Sequence, residues 1–313
     1  MGSHMSLKKV TKYENIKSGQ ILKKVINNLC LKKKLLIIKY NKKIKTKLNI
    51  NIDDYEKFCY EIEIEIIPYQ KKYDKFINIT EEQNKSFYHI YFNDNNEETK
   101  RYNLNSKDKV EKIKIIIDKQ VTSFFGLFKS CYSIKSINFK NFNRKNITNM
   151  SYLFGGCSSL QKIYFNSFNT LSVTDMSFMF NNCSSLKELD LSYFNTKNVI
   201  NMTGMFFGCS LLDKLNIPNF NTPNVNNMSL MFYNCTSLKE LNISNFNLNN
   251  VTKMNSMFYE CNSLINIKLS SFRINNDTHI KSMLYKSSRE LKEAIKAKNK
   301  NIKNEAFNFV RFY

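Results

Sequence analysis

Six cysteines, at positions 131, 157, 183, 209, 235 and 261, are separated by 26 residues every time. A fixed period in the twenties marks a chain built from one small unit that stacks on copies of itself, because no single unit can bury its apolar side alone. The residues around the cysteines repeat with them. The units open CYSIKSINFKNFNRKNITNMSYLFGG at Cys131, CSSLQKIYFNSFNTLSVTDMSFMFNN at Cys157 and CSSLKELDLSYFNTKNVINMTGMFFG at Cys183, and Cys209 and Cys235 open close copies. The unit from Cys261, CNSLINIKLSSFRINNDTHIKSMLYK, is degenerate, as expected of a terminal repeat whose outer side meets a cap or solvent.

Each unit carries two periodicities. Three residues after the cysteine stands Ile134, Leu160, Leu186, Leu212, Leu238 or Leu264, and three further on Ile137, Ile163, Leu189, Leu215, Leu241 or Ile267. Two residues later comes Phe139, Phe165, Leu191, Ile217, Ile243 or Leu269, and the two-residue step is that of a strand with one side inward. A phenylalanine follows in every unit (Phe142, Phe168, Phe194, Phe220, Phe246, Phe272), and so recurrent a ring has its place in the interior. Asn143, Asn169, Asn195, Asn221 and Asn247 stand beside it and suggest a stacked ladder of amides, broken at Arg273. The second half of the unit reads as a short helix. Asn146, Ser172, Asn198, Asn224 and Asn250 are good N-caps, and apolar residues recur at i+3, i+6 and i+7, as in Val199, Met202, Met205 and Phe206. Val110, Ile113, Ile115, Phe124, Leu127 and Phe128 repeat the spacing in a shortened unit, which puts the start of the solenoid near residue 105. Ser287 takes the next cysteine position. The segment after it reads as a capping helix, with Leu291, Ile295 and Phe307 to cover the last edge.

The run L-x-x-L-x-L-x-x-F-N followed by N-V-x-x-M-x-x-M-F-x-x-C resembles the BspA-type leucine-rich repeat over about residues 105–286, with departures at Asp277, Ile280 and Leu284 in the terminal unit. That family occurs in bacterial surface proteins, mycoplasma proteins and many protists. The resemblance implies an α/β solenoid of right-handed sense, with strands on one face, helices on the other, and a role in adhesion or protein binding. The expected organisation is an expression scar at 1–5, a basic N-terminal subdomain at 6–104, repeats at 105–286 and a C-terminal cap at 287–313.

The N-terminal region does not repeat. Residues 16–29 and 31–48 suit helices, and Asp53 or Asp54 can cap a third that includes Tyr55 and Phe58. EIEIEII at 61–67 alternates as a strand does, and Phe87–Phe92 with Thr99–Leu104 flank NDNNEE as a hairpin does. The expectation is a helical, α+β subdomain docked on the first strand of the solenoid. The stretch at 16–43 also resembles the opening helices of an F-box, although the Leu-Pro start is missing. That implies an alternative role as a substrate adaptor of a ubiquitin ligase with a Skp1-like partner.

Charge narrows the partners. The chain carries 48 Lys and Arg against 26 Asp and Glu, a net +22, and residues 1–50 hold fourteen lysines against Glu14 alone. Such a segment attracts nucleic acid, anionic lipid or an acidic protein, with Lys32, Lys33, Lys34, Lys42 and Lys43 as the candidate polyanion contacts. The plain alternative is codon bias, since the chain is rich in both Lys and Asn. Only Tyr13 and Tyr40 interleave these lysines, which weakens base stacking as a mode of binding.

Catalytic chemistry finds little footing. Outside the scar the only histidines are His89 and His279. Zinc needs close ligand pairs such as C-x-x-C, and none occurs, so the spaced cysteines read as buried free thiols. There is no G-x-x-x-x-G-K or G-x-G-x-x-G loop for phosphate. Glu61, Glu63 and Glu65 share one side of a strand and read as a solvated face. Asn149, Asn182, Asn201 and Asn227 open N-x-S/T sequons that read as unglycosylated, because repeat segments must pack. No cofactor, metal or small-molecule substrate is expected. No run of eighteen apolar residues marks a membrane-spanning helix, and thiols without a signal-like core point to the cytoplasm, or to the cell surface if a leader has been removed. With Leu189 and Leu191 inward, alternation turns Glu188 and Asp190 outward, and the same offsets turn out Tyr164, Lys214 and Glu240. These five are the candidate protein-binding residues of a non-enzymatic interaction scaffold.

Overall fold

The computed structural model describes residues 42–47 and 61–310, other than 71, 80–82, 94, 119, 120, 143, 167 and 271. It divides the chain into two compact units, 1–61 and 62–313. In the first unit the described element is α1 (Lys42–Lys47), inside the expected 31–48 helix, with Ile44 buried and Lys43 exposed. The expected helix at 16–29, the F-box-like stretch before residue 42 and the cap at Asp53 or Asp54 lie outside the described residues.

The second unit opens with β1 (Ile62–Pro68), where Ile62, Ile64 and Ile66 are fully buried and Glu63 and Glu65 are half-buried. β2 (Tyr88–Phe92) and β3 (Glu98–Thr99) form a hairpin whose second strand is far shorter than the expected Thr99–Leu104 arm and shares only Thr99 with it, and β4 (Ile113–Ile117) follows. The strand of each repeat then appears in turn: β5 (Ile134–Asn141), β6 (Lys162–Phe165), β7 (Glu188–Asp190), β8 (Lys214–Asn216), β9 (Glu240–Asn242) and β10 (Asn266–Lys268). β5 pairs parallel with β6, β7 with β8 and β9 with β10, each in a register of 26 residues such as Leu189 opposite Leu215.

The entrance to the repeats differs from the expectation. β4 does not stack on β5; β1 lies between them, antiparallel to both, in a six-stranded sheet of order β3-β2-β4-β1-β5-β6. Ile64 sits opposite Phe139, and Ile66 opposite Ile137. What meets the first repeat strand is thus a strand and not a helix. An alternating apolar strand can pair the open backbone edge of β5 while burying its isoleucines, and a helix can do only the second. The turn half of the shortened unit does join the stack, since Ser123 bridges Asn149 in parallel.

The second half of each repeat is not a helix. It is a series of tight turns with two left-handed residues per coil, four apart: Tyr152 and Gly156, Phe178 and Asn182, Leu230 and Asn234, Ser256 and Glu260. Amides that a helix would bond internally pass to the next coil instead. The N–H groups of Met150, Tyr152, Phe154 and Gly156 donate to the carbonyls of Asp175, Ser177, Met179 and Asn181 at 2.9, 2.9, 2.8 and 2.6 Å. Eight residues make a marginal helix, whereas this arrangement pairs each coil with its neighbour along the stack. It holds bulky residues at positive φ, a cost on the order of 1 kcal/mol each. At Gly204 (φ 57°) the close approach is absolute, because a Cβ there would stand 2.3 Å from the Phe178 ring.

The apolar assignments hold although the conformation differs: Val199, Met202, Met205 and Phe206 are fully buried and Phe194 is 1% exposed. Phe128, Phe154, Phe180, Phe206, Phe232 and Phe258 form one stack with ring centroids 5.4–5.7 Å apart. Two asparagine series take other duties. Asn198, Asn224 and Asn250 cap no helix, and their Nδ2 groups donate to Leu171 O, Lys197 O and Pro223 O of the preceding coil at 2.6–2.8 Å. Asn169, Asn195 and Asn247 do not bond each other, and each accepts from the backbone N–H two residues on. The ladder beside them is of threonines. Thr170, Thr196 and Thr222 each donate Oγ1 to the carbonyl of Asn195, Asn221 or Asn247 and accept from that residue's N–H, at 2.7–2.9 Å.

After the last coil, α2 (Arg289–Lys298) starts at Ser288, whose Oγ accepts from Leu291 N, and it buries Leu291 and Ile295. Beyond it, the carbonyls of Glu305 and Ala306 accept from Ser282 N and Leu284 N, the amides the last coil would otherwise offer to a further one. Phe307 is half-buried.

Candidate strand-face site

Short strands put alternate side chains on opposite sides. Leu189 and Leu241 point into the core at 3% and 2% exposure, and Ile163, Leu215 and Ile267 are half-buried. Their neighbours Lys162 and Tyr164, Glu188 and Asp190, Lys214 and Asn216, and Glu240 and Asn242 are exposed. All five residues singled out from the sequence therefore project from the strands on the side away from the core.

The parallel register of β7 and β8 places Glu188 against Lys214, whose Nζ lies 3.2 Å from Glu188 Oε1, and Asp190 against Asn216, whose Nδ2 donates to Asp190 Oδ1 at 2.9 Å. Lys239 Nζ faces Asp213 at 3.5 Å. Each of these pairs is open to solvent, so it contributes little to stability and remains available to a partner. Two shallow grooves follow the panel. One, of about 640 Å³, is lined by Glu188, Asp190, Lys214 and Glu240 together with Asp213 and Lys239. The other, of about 620 Å³, runs past Lys162, Tyr164, Lys187, Glu188, Asp190 and Leu211. Asp213, Lys239, Lys187 and the exposed Leu211 were not legible as site residues. They stand in the turns just before the strands, outside the two-residue alternation that marks the panel.

Of the lysines proposed for polyanions, Lys32, Lys33 and Lys34 lie outside the described residues; Lys42 opens α1 and Lys43 is exposed on it. The repeat cysteines are free and buried. From Cys157 onward each thiol donates to the carbonyl of a stacked phenylalanine in the coil before it, as Cys183 Sγ does to Phe154 O at 3.2 Å. Burial pushes the Cys157, Cys209 and Cys261 thiols up to about 12, so near neutrality they keep their protons and are poor nucleophiles. Among the described residues no group of three His, Cys, Asp or Glu converges as a metal site, and no helix is long and apolar enough to cross a membrane. One polar cluster escaped the sequence reading, because its members are far apart in the chain: His89 stands between Glu98 (3.2 Å) and Asp118 (3.3 Å).

Comparison with known proteins adds a family. The model described as "Mycoplasma protein of unknown function, DUF285" matches residues 122–215 and 187–298. Among solved structures, a leucine-rich repeat protein from Bacteroides ovatus ATCC 8483 is similar at 18% identity over 58% of this chain, with a TM-score of 0.32. The match covers 47% of that protein, so this chain spans about half its length. No curated protein matches the chain.

Proposed function

The chain belongs to the DUF285 family, a BspA-type leucine-rich-repeat family, and on that premise we propose that it is a non-enzymatic interaction scaffold that binds a protein partner through its strand face. The observation that carries this reading is the panel itself. Glu188, Asp190, Lys214 and Glu240 surround one groove, Tyr164 rims the next, and the interior of every coil is closed by fully buried Phe, Met and Cys. Coils sealed in this way leave recognition to the surface, and extended repeat faces are where solenoids bind. Mixed charge with one half-exposed tyrosine suits a protein surface better than a single-sign polymer.

A photo-crosslinker placed in turn at Tyr164, Asp190 and Lys214 should trap the partner, whereas the same group at Asn181 on the turn side should not. With that partner purified, Tyr164→Ala combined with Asp190→Lys should weaken binding at least tenfold while leaving the melting curve in place. Trapping from Asn181 alone, or unchanged affinity in the double variant, would move the site off the strand face.

A further inference from the structure

Arg144 follows β5, close to the loop that leaves β4. It is 1% exposed, and its Nη1 donates to the backbone carbonyl of Asp118 at 2.6 Å. Its Nε and Nη2 have no hydrogen-bond partner among the described residues. Tyr88, the first residue of β2, pairs with Ile117 at the end of β4, and Asp118 N donates to Phe87 O at 2.9 Å. The tyrosine therefore stands beside the same loop. It is 2% exposed, and its hydroxyl is also without a partner.

The unpartnered atoms share one property. A guanidinium has no acceptor, so Nε–H and Nη2–H can only donate. Burial pushes Tyr88 up to about 12, so at neutral pH its hydroxyl keeps a hydrogen to give. Burial also lowers Arg144 to about 10, which still leaves it charged at neutrality. A buried cation whose one hydrogen-bond partner among the described residues is a neutral carbonyl is costly; the Asp118 carboxylate attracts it from nearby, but its Oδ1 lies 3.3 Å from His89 Nε2. A group that answers these donors must accept several hydrogen bonds and carry one negative charge, and a halide does both with no proton of its own to place.

We propose that Arg144 and Tyr88 bind a monovalent inorganic anion of the halide class, which ties the first coil to the end of the antiparallel sheet. The test is thermal unfolding of the full chain at fixed ionic strength and pH 7, with sodium gluconate exchanged stepwise for sodium chloride or bromide. The wild type should gain roughly 3–5 °C for each tenfold step of halide above its Kd. Arg144→Met should lose the response, and Tyr88→Phe should reduce it. A wild type indifferent to halide, or an equal gain in Arg144→Met, would overturn the proposal. Should Arg144→Met fail to fold, crystals of the wild type grown in bromide decide the matter: an anomalous peak within hydrogen-bond reach of Nε or Nη2 supports the site, and no peak there refutes it.

Discussion

Thr196 is fully buried, and its hydroxyl is used twice, donating to Asn221 O at 2.7 Å and accepting from Asn221 N at 2.9 Å. One side chain thereby satisfies both backbone groups of a residue in the next coil. Thr196→Val keeps the shape and removes both bonds. Two hydrogen bonds at about 1 kcal/mol each set the scale, and a stranded buried amide adds about another 1 kcal/mol. The methyl that replaces the hydroxyl returns up to about 0.8 kcal/mol, and water reaching the exposed Asn221 tempers the penalty further. The expected loss is about 2 kcal/mol. Thr196→Ser separates bonding from packing, since it keeps the hydroxyl and gives up one buried methyl, for about 1 kcal/mol. Urea unfolding followed by circular dichroism reads both, with the slope m checked for constancy. If Val costs less than about 0.5 kcal/mol, or Ser costs more than Val, the ladder is a packing feature and its hydrogen bonds do not bind the coils.

Two further outcomes follow from charge and burial. If the N-terminal lysines bind polyanions, retention on heparin should fall steeply with salt and vanish when Lys32, Lys33 and Lys34 become Gln; no retention at low salt would leave codon bias as the account. The buried thiols make stability fall with alkali. Folded Cys157, Cys209 and Cys261 hold their protons to about 12, whereas unfolded thiols release them near 9, so the native state is the more protonated and loses up to about 1.4 kcal/mol per thiol per pH unit within that window. Urea midpoints should be level below pH 8 and drop from pH 9 to 10.5, less steeply in Cys209→Ala; a flat profile would refute the assignment.

How much of this was legible depended on what repeats. A buried position leaves a residue type in every unit, so the interior of each coil could be read from Cys157, Leu189, Val199, Met202 and Phe206 alone. Their spacing of three and four, however, fits a turn coil as well as a helix. What decides between them is the destination of the amides, which go to the next coil, and sequence spacing does not record a hydrogen bond across 25 residues. The threonine ladder was hidden for the same reason: Thr170, Thr196 and Thr222 sit next to asparagines whose turn chemistry is the stronger local signal. The insertion of β1 between β4 and β5 could not be read either, because EIEIEII announces a strand but not its neighbours.

The candidate site was legible for the opposite reason. Along the core the repeat permits almost no variation: the cysteine, the leucine three residues on and the phenylalanine stack return in coil after coil. Along the strand face the first outward position runs Lys162, Glu188, Lys214, Glu240, Asn266, and the second runs Tyr164, Asp190, Asn216, Asn242, Lys268. A face needed only to keep a sheet in water could carry one repeated polar residue at each offset, as the interior carries one repeated apolar residue. Here the charge alternates from coil to coil, so that Glu188 can meet Lys214 across the register of β7 and β8. The grooves lie over these non-repeating positions. Within a single chain, uniform packing residues bordered by a varied, exposed face separate what the fold requires from what is free to specify a partner. On that contrast the strands are the better candidate for a binding panel, and the turn side, whose amides are spent on the stack, is the poorer one.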